Sequence, residues 1–370
     1  MHRALCTPAR VVPLLWASCL AISLCHLVAG LTRSPDVRPA KQELDQPTLA
    51  WMQTVLNNWE RACRQDLHVS TEPLPWIIFY DQDQAYHLMP EVGRLPPHEL
   101  TPVSLRFAGR TFRLTRVAHQ RGRLWVPDRE AIDIATPKAA AMPYHNDQRS
   151  FFIAPLPALY RRLAGAEQAS DLDELFLGLT AHESTHTRQL AYAARRIERL
   201  RARYKLPESL DDNTIERELR TNDEYKSLYN EERKLISAAI MTGDLADCRR
   251  RVADILESAR VRRARFFVGD KAGYSDLEDT FLAMEGMAMW VQYRTARQRA
   301  PAREEWLTTL VRLSERTDAW SQEEGLGLFL LIDRLVPGWQ KRFLKPAFPS
   351  PFAVLRAAVS GRRPRRSATT

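Results

Sequence analysis

Leu175-Phe176-Leu177-Gly178-Leu179-Thr180-Ala181-His182-Glu183-Ser184-Thr185-His186 runs an apolar stripe straight into the pattern H-E-x-x-H. Leu172, Leu175, Phe176 and Leu179 recur three to four residues apart, so the stretch predicts a helix whose apolar side faces a core. Residues four apart on a helix lie one turn above each other, which lets His182 and His186 aim imidazole nitrogens at a single point. That donor pair suits Zn²⁺. The histidines continue the core-facing stripe, and this argues against reading them as part of a solvated polar face. Glu183 is displaced around the helix from the first ligand, where its carboxylate is placed to act as a general base instead of a ligand. Ser170 and Asp171, followed by Asp173 and Glu174, supply a capping-box start for the helix.

Downstream, Tyr274 to Arg297 again reads as helix, and its centre differs from its surroundings. Phe281-Leu282-Ala283-Met284-Glu285-Gly286-Met287-Ala288-Met289-Trp290 is almost wholly apolar with one carboxylate inside it. A buried carboxylate is costly unless paired, protonated or bound to a metal, so Glu285 needs a partner.

His182-Glu183-Ser184-Thr185-His186 on one helix and Glu285-Gly286-Met287-Ala288 on a later one resemble the two halves of a gluzincin metallopeptidase site. The resemblance covers these two helices and, more loosely, the strand-rich region before them. It implies a zincin-like core, with His182, His186 and Glu285 as zinc ligands, Glu183 as general base, Zn²⁺ as cofactor, and a peptide or protein as substrate. The halves lie roughly 100 residues apart, whereas many gluzincins separate them by a few tens, so the charged helices between them are expected to be an insertion. Glu278, Glu216, Glu218, Glu224, Glu231 and Glu232 are rival third ligands. The last five sit in strongly polar segments and read as surface residues. Tyr293, Tyr274 and His145 are candidate donors to a developing oxyanion. A strand before the motif helix lines the cleft in related sites, and Phe151 to Ala154 is the candidate edge.

Other signals bound the rest of the chain. A formal charge of +9 on 370 residues comes mostly from arginine in helical segments, with no nucleic-acid module beside it. It points to solvated faces or an anionic membrane surface and to no nucleic-acid partner. Arg3 and Arg10 precede an apolar run from Val11 to Leu31, a secretory signal or an uncleaved membrane anchor, so the body is expected to be exported to the periplasm or the extracellular side. Outside this leader only Cys63 and Cys248 remain, either as a disulfide or as two buried thiols.

The expected fold class is α+β and predominantly helical, a zincin-like core with a small antiparallel sheet and a long helical insertion. The leader occupies 1–31, a proline-containing linker 32–48, the catalytic domain 49–360 and a basic disordered tail 361–370. Within the domain, a helix from Thr48 to about Leu67 precedes a β-containing part at about 70–155, opening with the strand Trp76 to Tyr80. The motif helix spans 171–190 and the insert about 190–267, with helices at 213–241 and 245–267. The third-ligand helix covers 274–297, and C-terminal helices lie within 303–360, at 304–313, 320–335 and 352–359.

Overall fold

The computed structural model describes residues 44–89, 95–119, 122–127, 131–134, 139–144, 149–159, 169–299 and 319–361. The leader, the linker up to 43, the helix expected at 304–313, His145 and the tail beyond 361 lie outside the described residues, as do the capping side chains at 170–174, and the linker's expected last residues, 46–48, belong instead to the first helix. Among the described residues no helix is long and apolar enough to cross a membrane.

Helix α1, Gln46–Arg61, starts where the Asp45 carboxylate accepts from the Thr48 amide, and it turns Trp51, Met52, Val55, Leu56 and Trp59 inward. A single π-helical turn, Ala62–Asp66, closes it. Among the described residues eight strands follow: β1 (Trp76–Tyr80), β2 (Gln84–Leu88), β3 (His98–Phe107), β4 (Arg110–Ala118), β5 (Arg123–Leu124), β6 (Ile132–Asp133), β7 (Ala140–Tyr144) and β8 (Arg149–Pro155). Six of them form one sheet in the order β3-β4-β2-β1-β8-β7, while β5 and β6 pair separately. The sheet is mixed, which corrects the antiparallel expectation. β1 lies parallel to β8, with Trp76 opposite Phe151 and Tyr80 opposite Pro155, and the remaining pairs in this sheet are antiparallel.

β1 is buried along its whole length because both faces of the sheet are covered. Ile77 and Phe79 join Trp59, Phe107 and Phe152 in the core beneath α1, with the Trp59 ring 5.5 Å from Phe107 and 5.2 Å from Phe152. Trp76, Ile78 and Tyr80 face the opposite side, with Leu124, Val126, Phe151 and Ile153. The edge expectation is also corrected. Phe151 to Ala154 belongs to β8, which is paired on both sides, and the sheet edge next to it is β7.

The helical body begins with α2, Ala169–Tyr204, a single helix of 36 residues carrying the motif. The Ser150 hydroxyl donates to the Thr187 carbonyl at 3.0 Å, and the Arg188 guanidinium donates to the carbonyls of Thr71, Glu72 and Pro73, which fixes α2 against the sheet and the segment before it. Instead of one helix at 213–241 there are two, α3 (Thr214–Leu219) and α4 (Asp223–Met241), because Asn222 leaves helical geometry and its side chain caps α4 through the Tyr225 amide. Then come α5 (Leu245–Phe266), α6 (Tyr274–Arg299), α7 (Trp320–Leu335), the short α8 (Gln340–Phe343) and α9 (Pro351–Val359). Cys63 and Cys248 are both buried free thiols.

α6 and α7 cross with their backbones in contact. A Cβ on Gly286 would sit 2.6 Å from the carbonyl carbon and oxygen of Gly325, and one on Gly325 would sit 2.7 Å from the Gly286 Cα. Only two glycines permit that approach, and it sets α7 directly beside Glu285.

Candidate metal centre

His182 and His186 reach their common point from the buried side of α2, and Glu285 meets them from α6. Their ligating atoms form one group, all within 4.8 Å of one another. The two Nε2 atoms are 3.0 Å apart; Glu285 Oε2 is 3.3 Å from His182 Nε2, and Oε1 is 3.4 Å from His186 Nε2. Bonds of about 2.0–2.1 Å in a tetrahedron put donor atoms about 3.3–3.4 Å apart, so the two edges to the carboxylate fit a zinc-sized ion and the imidazole edge is a few tenths of an ångström short. Two imidazole nitrogens and a carboxylate are also a donor set that zinc accepts. The group could therefore hold a metal ion.

All three side chains are buried, with exposures of 0% for His182, 4% for His186 and 3% for Glu285. Burial by itself would raise the Glu285 pKa, but the facing imidazoles outweigh it and hold the carboxyl well below the usual range. Burial likewise opposes a charged His186, yet the Glu285 carboxylate beside it lifts that pKa to about 9. A buried carboxylate facing two imidazoles is a place where positive charge is favoured, whether a proton or a metal ion supplies it.

Glu183, 1% exposed, is outside the ligand group and turns instead to the sheet edge, where its Oε2 accepts from the Ala141 amide of β7 at 3.2 Å. Motif helix and edge strand are thereby joined by a direct bond. Two glutamines contact the ligands. The Gln189 carboxamide lies between His186 and the Met284 carbonyl, and Gln322 of α7 donates to Glu285 Oε2 at 3.3 Å.

Asp212, just before α3, also senses the centre. Burial first and the Glu285 charge second push its carboxyl well above the ordinary range, and its Oδ2 is buried without a hydrogen-bond partner among the described residues. It borders a cavity of about 20 Å³ together with Glu216, Ser321 and Glu324, space for about one water molecule.

The rival carboxylates are engaged elsewhere. Glu278 binds Arg262 and Arg263, Glu216 accepts from the Trp320 amide, Glu232 pairs with Arg262, Glu218 accepts from Tyr274, Glu224 pairs with Arg265 and Glu231 with Lys234. Glu216 and Glu232 are buried, which corrects their reading as surface residues. The Tyr274 hydroxyl is committed to Glu218, and Tyr293 is half-buried against the helical core.

Gln189, Gln322, Asp212 and β7 escaped the sequence reading. Gln189 follows His186 by three residues, a helical spacing that could have marked it. Asp212 lies in the polar run Asp211-Asp212-Asn213, Gln322 opens a helix read only as core, and Ala140-Ala141-Met142-Pro143 has little strand propensity. No family model matches this chain, and neither curated proteins nor solved structures give a match.

Proposed function

We propose that this protein is an exported zinc-dependent metallopeptidase of gluzincin type, with His182, His186 and Glu285 holding the ion and Glu183 as general base. The observation that carries the reading is the convergence of three buried donors, two imidazoles and a carboxylate, from α2 and α6 beside a second carboxylate, Glu183, turned away from them. Structural zinc sites generally close with four protein ligands, whereas three donors plus a neighbouring carboxylate is the composition of a hydrolytic one. Bound Zn²⁺ supplies Lewis acidity and shifts the pKa of water from ~16 toward ~7.

The chain's own groups have separate tasks. Glu183 takes a proton from water on its carboxylate and returns it to the departing amine. The Ala141 amide orients that carboxylate through Oε2. β7, at the sheet edge, offers main-chain groups to an extended peptide, so cleft and base share one strand. The apolar leader directs export, and surface arginines favour an anionic membrane.

Purified protein tested for zinc content and against a mixed peptide library decides the reading. Wild type is expected to hold one zinc and cleave. Glu183→Gln should keep the zinc and lose on the order of 10²- to 10⁴-fold in rate, the usual worth of a positioned base. Glu285→Ala should lose the zinc. Zinc-loaded wild type that cleaves no peptide, or a Glu183→Gln variant that cleaves at the wild-type rate, overturns the peptidase reading. Hydrolysis of non-peptide amides or esters alone would leave the centre and move the substrate class.

A further inference from the structure

The hydrogen bonds of Gln189 fix more than its own position. Its Nε2 donates to the Met284 carbonyl at 3.2 Å, which determines which way the carboxamide points, so its Oε1 faces His186 Nδ1 at 2.7 Å. A carboxamide oxygen only accepts, hence His186 Nδ1 carries a proton and Nε2, the nitrogen turned toward Glu285 and His182, is the one left to give its lone pair to a metal ion. The bond to Met284 fastens the same glutamine to the residue just before Glu285, bridging α2 and α6. Gln322 performs the complementary task from α7. Its Nε2 donates to Glu285 Oε2, so the carboxylate cannot turn freely in its pocket. Both glutamines are buried, at 2% and 3% exposure, where a misdirected amide dipole is costly. His182 has no such support: its Nδ1 is buried and lacks a hydrogen-bond partner among the described residues.

We propose that Gln189 and Gln322 are paired positioning residues of the metal centre, one setting the tautomer and ring plane of His186 and the other the orientation of the Glu285 carboxylate. This rests on the metal reading of the same site. The two amides work through opposite ends, since Gln189 serves His186 as an acceptor and Gln322 serves Glu285 as a donor. Replacement by the isosteric glutamate therefore has opposite consequences. At 189 a carboxylate still accepts from Nδ1, whereas at 322 it removes the donor and sets a second carboxylate against Glu285.

Zinc affinity by chelator competition, with the visible spectrum of the Co²⁺-loaded protein, tests this. Gln189→Leu and Gln322→Leu are expected to bind zinc roughly 10- to 100-fold more weakly, the usual cost of removing a partner of a metal ligand. Gln189→Glu should stay within about threefold of wild type, while Gln322→Glu should weaken binding at least as much as Gln322→Leu and alter the Co²⁺ spectrum. If the glutamines merely fill space, both glutamate variants bind like wild type. If Gln189 matters only through Met284, Gln189→Glu is as weak as Gln189→Leu. Either result overturns the inference and leaves the metal reading standing. Wild type that holds neither zinc nor cobalt overturns both. Circular dichroism of each metal-free variant checks folding, and should a leucine variant not fold, the isosteric pair decides.

Discussion

His87 shows how strictly this fold fixes a single protonation state. Trp76 Nε1 donates to its Nδ1 at 3.0 Å, so the ring is neutral with its proton on Nε2, buried within the sheet. Burial, reinforced by His119 and His98, lowers its pKa to about 3. The ordinary imidazole value is ~6.5, so between those limits the unfolded chain binds more protons than the folded one and stability rises with pH. The contribution is complete above ~6.5 and drains away as pH falls toward 3, the loss reaching about 2 kcal/mol at pH ~5. His119 is shifted the same way and steepens the loss. Urea denaturation of wild type and His87→Gln at pH ~5 and pH ~7.5 isolates this share from groups shifted the other way, such as His186. His87→Gln, which retains an acceptor for Trp76 and cannot titrate, should lose about 2 kcal/mol less over that interval. An identical loss in the variant would remove His87 from the account. A residue with so depressed a pKa gives no warning in the sequence, since Ala85-Tyr86-His87-Leu88 reads equally well with the histidine at a surface.

At the scale of elements, the decisive contact is the crossing of α6 and α7. Alanine is ordinarily the better helix former by about 1 kcal/mol, so Gly→Ala in an uncrowded helix stabilises. At Gly286 or Gly325 the added Cβ meets backbone at 2.6–2.7 Å, and the helices must part. Overpacking of this kind costs about 1–3 kcal/mol, and it displaces Glu285 and Gln322, which sit on either side of the crossing. Thermal unfolding with zinc titration should show both variants less stable and weaker in metal. Gly178→Ala is the control, because its nearest neighbour is the Gln292 side chain at 3.2 Å, which can move aside. If all three substitutions behave alike, the crossing does not position the site. The elements themselves were largely legible. Long, nearly continuous apolar runs marked α6 from Tyr274 and placed α7 at its observed bounds, and the alternatives to H-E-x-x-H on α2 were few. What periodicity does not encode is pairing between distant segments. The parallel β1–β8 ladder joins residues about 75 positions apart, and Gly325 has meaning only opposite Gly286. β7 was missed because two alanines and a proline carry little strand signal.

For the molecule as a whole, the charged segment between the motif and Glu285 is built into the body that carries the site. Its arginines read as solvated faces, yet Arg262 is fully buried among α4, α5, α6 and α7. Its Nε meets Glu232 at 2.9 Å, one terminal nitrogen meets Glu278 at 2.6 Å and the Tyr225 hydroxyl at 2.7 Å, and the other approaches Glu324 at 3.5 Å. Burial and the nearby Glu232 charge push the Glu324 carboxyl well above its normal range, so one guanidinium holds together acids that would otherwise repel. Two of its partners share helices with the centre: Glu278 lies seven residues before Glu285 on α6, and Glu324 lies two after Gln322 on α7. Removing the cation strands buried carboxylates, which costs about 3–5 kcal/mol where one partner of a buried pair is deleted. Arg262→Met should thus lower the thermal midpoint by several degrees and weaken zinc binding along with it. Arg262→Lys should rescue little, because a single ammonium cannot reproduce a fork that engages Glu232 and Glu278 from different nitrogens. If that charged segment were a separate appendage, Arg262→Met would instead give a second, earlier unfolding transition with metal affinity unchanged. Circular dichroism and zinc titration on the same samples separate these outcomes, because only a segment integrated with the site makes the loss of one distant guanidinium visible at Glu285.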